Sequence, residues 1–426
     1  MELDMKKLTT ILLGFVLILS IITACANSNP QTGGSETQNE TEEALNETSE
    51  HYVFRDNYVI EWKDSAFESL IREYLEKESE DIIYYDDVKN IRNLQIWGHY
   101  IAKPGEMLMS AYGDGSHLWF RTSDGREGTN DGEIETLVDL EHFTSLMILS
   151  INMQENIDIS AFYDSDKIDC LKRLTSLTFV GNRLTDISPI SNLTSLELLR
   201  LDHNSFSDIT PIASLVDLKQ LYIHGNRQPF SSEPLAKLKS LDSLWIGLIH
   251  PFDYSALIDL PELKRMCISS LLNSDYTTFA YLAQLDLDYL QIVANEEVFQ
   301  IVTQMETLKE LHLRGDSSWF NGEMQPGFTS IAGIEKLQNL TYLLLEVRYN
   351  IDISPISGMN VEVLQLYPNF PEEIDLTPIA DMPNLKQIII PNWETIDSDS
   401  SRLAARIREL LPDIEITSSR YPNFTG

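Results

Sequence analysis

The stretch "LTDISPISNLTSLELLRLDHN", residues 184–204, spaces its apolar residues in a way that no single helix or strand explains. Leu or Ile stands at positions 184, 187, 190, 193, 196, 199 and 201, so a spacing of three falls to two. A spacing of two is typical of a strand with one buried face, whereas three is typical of a tight helical turn. The stretch therefore predicts two legs that point their apolar residues at one shared core.

The same pattern recurs along the chain. The sequence L-x-x-L-x-L-x-x-N fits residues 174–182, 196–204 and 218–226, and each copy starts 22 residues after the previous one. Looser copies bring the total to twelve and begin at residues 91, 146, 241, 263, 287, 308, 340, 361 and 385. The pattern resembles the leucine-rich repeat, and a recurrence of this length predicts a solenoid.

The return leg of each coil has its own signature. Asp-Ile-Ser-Pro-Ile occurs at 186–190 and 352–356, Asp-Ile-Thr-Pro-Ile at 208–212, and Asp-Leu-Thr-Pro-Ile at 375–379. We expect the Ser or Thr hydroxyl to cap a short helix that has Pro at its first position. The Asn that closes the strand, such as Asn204, is expected to satisfy backbone groups at the corner with its side-chain amide.

These features predict an α/β solenoid: a leucine-rich repeat arc with a parallel concave sheet, short helical turns on the convex side and a helical N-terminal cap. The repeats are assigned to 91–396, the N-terminal cap to 51–90 and a C-terminal cap to 397–426. Within the first cap, the amphipathic stretch 65–77 has Ser65 and Glu68 at the spacing of a capping box.

Two segments interrupt the period, at about 99–132 and 317–329. In the first, Gly-Asp-Gly lies between two strand-like stretches, which predicts a β-hairpin. Its acidic residues do not match a calcium-loop spacing. In the second, Trp319 and Phe320 lie in a predicted loop. They are either an exposed anchor for a ligand or packed on the next coil, and both interpretations stay open.

The N-terminus is typical of a targeting segment. Residues 1–24 combine Lys6 and Lys7 with a short apolar run, which predicts a signal peptide. The run ends in Ala24 and Cys25, and a small residue before Cys resembles the bacterial lipoprotein signal. That resemblance implies lipidation of Cys25. The polar segment 25–50 is then a disordered tether.

A helical cap followed by 22-residue repeats with Asp-Ile-Ser-Pro-Ile resembles internalin-type bacterial leucine-rich repeat proteins over about residues 55–416. The resemblance implies an extracellular, non-enzymatic surface that binds protein. The repeats are followed here by neither an immunoglobulin-like pattern nor a Leu-Pro-x-Thr-Gly signal, so the resemblance does not extend to host-cell invasion.

Charge and motifs limit the chemistry. The chain has 31 basic and 66 acidic residues, a net charge of −35, which argues against nucleic acid as a partner. The sequence contains no phosphate loop, zinc signature or nucleophile motif, so we expect no enzyme activity and no cofactor or metal. Cys170 and Cys267 fall on different faces, about four coils apart, and are expected to be free thiols.

The candidate ligand-binding residues follow from the repeat register. The third, fifth and seventh residues of each copy point out of the concave face, and there Tyr, Trp and Arg are typical of binding hot spots. We expect exposed aromatic rings on this face. The candidates are Tyr222, His224, Trp245, Arg265, Tyr289, His312 and Arg314.

The sequence thus favours a monomeric, lipid-anchored protein on the outer face of a bacterial cell membrane. It would bind an unidentified protein ligand on its concave face. Capture of a polysaccharide or cell-wall fragment on the aromatic rings is the second hypothesis. An enzyme acting through the 99–132 insertion is the third.

Overall fold

A computed structural model describes most of the chain after residue 56. The described residues are 57–103, 108–112, 118–122, 127–128, 132–164, 169–247, 250–269, 276–315, 319–320, 323–324, 330–346, 351–367, 374–391 and 398–418. The predicted signal peptide, Cys25 and the tether lie outside them. The assignments of cap, repeat and tether boundaries therefore remain predictions.

Strands supply the main layer of the fold. They are β1 (Asn93–Trp97), β2 (Tyr100–Ile101), β3 (Leu108–Tyr112), β4 (Leu118–Thr122), β5 (Glu127–Gly128), β6 (Ile148–Asn152), β7 (Ser176–Thr178), β8 (Leu198–Arg200), β9 (Gln220–His224), β10 (Ser243–Gly247), β11 (Arg265–Ile268), β12 (Tyr289–Ala294), β13 (Glu310–Gly315), β14 (Trp319–Phe320), β15 (Glu323–Met324), β16 (Tyr342–Glu346), β17 (Val363–Leu366), β18 (Gln387–Ile389) and β19 (Glu415–Thr417). Fourteen of them form one sheet in the order β19-β18-β17-β16-β13-β12-β11-β10-β9-β8-β7-β6-β1-β2. Neighbours in this sheet are parallel except β1 and β2.

Short helices occupy the return legs, and one longer helix lies before the first coil and one after the last. The α-helices are α1 (Ser65–Leu75), α2 (Tyr85–Val88), α3 (Glu296–Val302), α4 (Thr377–Ala380) and α5 (Asp399–Leu410). The 3-10 helices are Val138–His142, Ser160–Asp164, Asp169–Arg173, Ser188–Asn192, Thr210–Ser214, Glu233–Lys237, Tyr254–Leu257, Tyr276–Gln284, Ile334–Lys336 and Ser354–Ile356. Among the described helices, none combines the length and the apolar character needed to cross a bilayer.

The predicted register is confirmed in all twelve copies, because each contains a strand that begins two residues after its first position. The copy that starts at 218, for example, contains β9. Its Leu221 lies in register with Leu199 on one side and Leu244 on the other. All three side chains are fully buried in one continuous apolar core. The leucine-rich repeat solenoid predicted from the sequence is therefore the fold of the described chain.

The two insertions form strands of their own. The first one starts with β2, which pairs antiparallel with β1 and extends the main sheet by a strand that the sequence did not predict. The predicted hairpin is confirmed in the backbone, where β3 pairs antiparallel with β4. In the second insertion, β14 and β15 form a small antiparallel pair instead of the predicted loop. The side chains of Trp319 and Phe320 lie outside the described ones.

The predicted cap of the return-leg helices is wrong in its details. The backbone N–H of Ser188 donates to Asp186 Oδ1 over 2.8 Å, and the Ser188 hydroxyl donates to the same oxygen over 2.5 Å. The N–H of Thr210 likewise donates to Asp208. The helix begins at the Ser or Thr itself, so the acceptor that orients its first turn is the carboxylate two residues earlier.

Helix α1 is also capped by an aspartate. The sequence suggested Ser65 as the cap, but Asp64 Oδ1 accepts the N–H of Phe67 over 2.8 Å. The second oxygen of Asp64 accepts the N–H groups of Glu135 and Thr136. The helix is therefore attached to the coil that follows the first insertion. Its buried side chains, which include Phe67, belong to the main core.

A buried amide joins the strand corner to the preceding coil in the copies that start at 174, 196 and 218. Asn204 Nδ2 donates to the carbonyl oxygens of Phe179 over 2.7 Å and Leu201 over 2.9 Å. Its Oδ1 accepts the N–H of Leu184 over 3.0 Å. Asn182 makes the equivalent contacts one coil earlier. The predicted role of this asparagine is confirmed.

We predict that Asn204→Ala lowers the free energy of unfolding by about 2–4 kcal/mol. The substitution leaves two carbonyls and one N–H without their partner in a buried corner, and each unsatisfied group costs roughly 1–3 kcal/mol before local relaxation. Chemical denaturation measures the loss. The control Asn384→Ala, at an exposed position, should stay within about 0.5 kcal/mol of the parent. Equal effects of the two substitutions would contradict the role of the corner amide.

Candidate functional site

The candidate residues lie together on the face of the sheet opposite the core, which we call the open face. Because strand side chains alternate, each buried leucine is flanked by two residues that point to this face. Tyr222 lies in register with Trp245, and Arg265 with Tyr289. These residues thus share one face of the sheet, and their assignment as a binding site stays a prediction.

Tyr222 and Trp245 form a stack. Their ring centroids are 4.6 Å apart and their planes differ by 17°. The guanidinium of Arg200 lies over the other side of the Tyr222 ring, 5.2 Å from its centroid. Trp245 remains half-buried, with part of its side chain exposed at the surface.

The expected exposure of the tyrosines is wrong. Tyr222 is only 6% exposed and Tyr289 only 7%. Rings on adjacent parallel strands are separated by about the strand spacing, roughly 4.8 Å, so neighbouring side chains cover each other. This burial raises the pKa of Tyr222 to about 12. Trp245 and Arg265 are therefore the more accessible members of the predicted site.

A second group of side chains surrounds Tyr289. The guanidinium of Arg265 lies over its ring, 4.3 Å from the centroid, and Arg265 itself is exposed. The Tyr289 hydroxyl donates to Gln291 Oε1 over 3.1 Å. The same hydroxyl oxygen is 3.4 Å from Nδ1 of His312, which is itself buried. The Tyr289 ring, which lies under Arg265, is thus contacted by His312 on the neighbouring strand β13.

The network continues toward the C-terminal strands. His312 Nε2 is 2.7 Å from Glu310 Oε1, and its ring packs against Tyr342. The Tyr342 hydroxyl donates to Gln365 Oε1 over 2.5 Å. Burial raises the pKa of Tyr342. Tyr342 is not among the candidates predicted from the sequence, although it is the third residue of the copy at 340 and the register identifies it.

A histidine pair lies beside the first stack. The rings of His203 and His224 are 5.1 Å apart in an edge-to-face arrangement. His224 Nδ1 also lies 2.5 Å from the hydroxyl oxygen of Ser269, two strands away. This contact crosses Gly247, where a Cβ atom would lie 2.0 Å from both atoms. A glycine is therefore required between His224 and Ser269.

Two arginines of the open face are neutralised by carboxylates. Arg200 Nε is 2.6 Å from Asp202 Oδ2, and both side chains are buried. Arg314 Nε is 2.8 Å from Glu346 Oε2. Sequence reasoning missed the first pair because both residues are assigned to surface positions of the repeat. Their burial depends on the rings that cover them.

The open face also has an apolar end. Trp97 and Val180 form a small cluster with Tyr100 and Met153 that is separate from the main core. Sequence reasoning did not identify it, because Tyr100 reaches this position only through the added strand β2.

Cys267 is the cysteine whose side chain the structure describes. Cys267 is a free, buried thiol, and burial raises its pKa to about 12, so it is unreactive at neutral pH. The side chain of Cys170 lies outside the described ones. Within the described part of the chain, no group of three His, Cys, Asp or Glu side chains is arranged to hold a metal ion.

Comparison with known proteins agrees with the repeat. The sequence profile of the family described as "Leucine Rich repeats (2 copies)" matches residues 172–214. None of the curated proteins is significantly similar to this chain in sequence. Repeats of this kind are typical of binding scaffolds rather than enzymes.

The solved structures include bacterial repeat proteins. One is an internalin from Listeria monocytogenes str. 4b F2365, with 20% identity, coverage of 84% of this chain and 92% of that one, and a TM-score of 0.48. A second is a leucine-rich repeat protein of Leptospira interrogans, with 21% identity, coverage of 68% and 77%, and a TM-score of 0.40.

We predict that His203 makes the protein less stable in mild acid. Burial, and then the neighbouring His224, lower the pKa of His203 from 6.5 to about 4. Because the folded protein binds this proton less readily than the unfolded chain, protonation favours unfolding. The free energy of unfolding is therefore unaffected by His203 above pH 6.5 and decreases as the pH falls toward 4. Relative to His203→Asn, the parent should lose about 1–2 kcal/mol of unfolding free energy between pH 7.5 and pH 5.

Chemical denaturation at the two pH values measures this difference. Asn suits the site because His203 has a φ of 56°, a left-handed backbone conformation that Asn tolerates. Parallel pH profiles for the parent and His203→Asn would show that His203 contributes nothing to the acid sensitivity.

Proposed function

We propose that this chain is a lipid-anchored protein of the extracytoplasmic face of a bacterial membrane and that it binds a protein ligand through its open face. The observation that carries the proposal is the cluster of aromatic and arginine side chains on the adjoining strands β9 to β13. Tyr222, Trp245, Arg265 and Tyr289 all belong to it.

The charge of the open face supports a binding role. The whole chain carries 66 acidic and 31 basic residues. The open-face positions in the described parallel strands, or directly after them, instead carry nearly balanced charges. They are the carboxylates Asp202, Glu310, Glu346 and Glu415 and the arginines Arg200, Arg265 and Arg314. Depletion of uncompensated charge is typical of an interface centre. A ligand therefore meets little of the repulsion that the rest of the acidic surface exerts.

The rigidity of the aromatic residues also supports this role. Tyr222 packs against Trp245 on one side and Arg200 on the other, so the half-buried Trp245 ring is held before any ligand arrives. A side chain that is ordered in the free protein loses little entropy on binding. Trp245 is therefore the side chain that we assign to the centre of the site.

We predict that Trp245→Ala weakens ligand affinity by at least about 1–2 kcal/mol, as expected for a hot-spot tryptophan. Its stability should fall by less than about 1.5 kcal/mol, because the ring stacks outside the main core. The measurements are affinity for a purified protein ligand, first recovered by affinity capture, and a melting curve. Ser191→Ala, on the return leg, is the control and should change neither.

Two results would contradict the assignment. One is a Trp245→Ala variant that binds the protein ligand with unchanged affinity. The other is a polymer-array screen in which the chain binds a polysaccharide through Trp245 and no protein ligand is recovered.

For the anchor, we predict that Cys25→Ala releases the protein from bacterial membranes or leaves the signal peptide uncut. The support is the apolar run that ends in Ala24 and Cys25. Cell fractionation with metabolic labelling by a fatty acid measures both effects. Salt-resistant membrane association and labelling of the Cys25→Ala variant would contradict the lipid anchor.

A further inference from the structure

Arg265 differs from the other two arginines of the open face. Arg200 and Arg314 each contact a carboxylate, at 2.6 Å and 2.8 Å. Arg265 is exposed, and among the residues that the structure describes no carboxylate is in ion-pair contact with its guanidinium. In a chain with twice as many acidic as basic residues, an arginine left in this state on the candidate binding face is unusual.

The guanidinium of Arg265 is oriented by the Tyr289 ring below it. The ring is 4.3 Å from the guanidinium carbon, and hydrogen bonding of its hydroxyl to Gln291 fixes it in place. Stacking uses the flat face of the guanidinium and leaves the N–H groups along its edge available as donors. Arg265 thus presents a preoriented fork of donors that matches a carboxylate.

The surroundings of Arg265 add an apolar contact. On the neighbouring strand β10, Arg265 lies in register with the small, buried Ser243. Trp245 follows two residues later on β10. From the strand spacing and the rise per residue, the Cα atoms of Arg265 and Trp245 are about 8 Å apart. One ligand segment can therefore place a carboxylate on Arg265 and a neighbouring side chain on the Trp245 ring.

We infer that Arg265 binds a single carboxylate of the protein ligand, either an Asp or Glu side chain or a C-terminal carboxylate, next to an apolar side chain that contacts Trp245. The inference rests on the proposed function of the open face and adds the chemical class that the site recognises.

The charge of the chain limits the carboxylate to an isolated one. The net charge of −35 repels a run of acidic residues. A single carboxylate in a neutral or basic segment avoids most of that repulsion. Its contact with Arg265 is local, because exposed charges beyond about 8 Å are screened at physiological salt.

The test uses random peptides displayed with free carboxyl termini and selected on the full chain, purified in a mild detergent. Selected peptides are synthesised in matched pairs, with the acidic residue as Asp or Asn, as Glu or Gln, or with the terminus free or amidated. We expect the uncharged version of a peptide to bind at least about ten-fold more weakly than the acidic one.

Substitutions at Arg265 test whether this residue causes the preference for the acidic peptide. Arg265→Gln should bind the acidic peptide at least about ten-fold more weakly and should no longer distinguish it from the uncharged version. Arg265→Lys should retain part of the preference, because it keeps the charge but not the planar fork. Lys237→Gln is the matched control, since it removes an exposed cation from the return leg, and it should behave as the parent.

The outcomes separate the inference from the proposed function. Peptides that lose affinity with Trp245→Ala, but bind equally well in acidic and uncharged form, would overturn the carboxylate inference and leave the proposed function intact. If no selected peptide depends on Trp245, both are overturned. Binding of polygalacturonate that disappears in Arg265→Gln, without Arg265-dependent peptides, would assign the residue to an acidic polysaccharide and overturn the inference.

Discussion

A buried side-chain amide at the strand corner is the interaction on which the run of coils that contains Gln154, Asn182, Asn204 and Asn226 depends. A corner that turns the chain inside a core leaves backbone groups away from water, and each must find a partner. Asn204 provides two donor hydrogens and an acceptor oxygen in one short side chain, so it serves three backbone groups of two coils. The same contact ties two successive coils together at the end of the strand.

At one of these corners a longer amide replaces the asparagine. Gln154 takes the place of the asparagine in the coil after the first insertion, and its longer side chain donates to the carbonyl oxygens of Gly98 and Asn152. Gly132 makes room for it, because a Cβ atom there would lie 2.1 Å from the Gln154 side chain. The insertion is thus accommodated by a longer amide and a glycine, without loss of the corner contact.

The acidic charge of the chain is distributed unevenly between the two sides of the coil. On the return legs, carboxylates such as Asp208 and Asp375 accept hydrogen bonds from the Thr two residues later, which lowers their pKa and keeps them charged. On the open face, Asp202 and Glu346 neutralise arginines instead. Among the described residues, most carboxylates therefore lie away from the candidate binding residues.

The sequence alone determined the repeat, the register of all twelve coils and the positions of Trp245 and Arg265 on one face, because apolar periodicity is a local property of the chain. It did not determine that Tyr222 and Tyr289 are covered, that His224 reaches Ser269 across Gly247, or that Arg200 is paired while Arg265 is not. The ring contacts of Tyr289 with His312 and the contact of His224 with Ser269 join residues 23 and 45 positions apart, which only stacking of the coils brings together. The Arg200–Asp202 pair is local, but the Tyr222 ring of the next coil covers Arg200. Exposure and pairing on the open face depend on the size of each neighbour's side chain, so only the tertiary structure decided which of the predicted residues a ligand can reach.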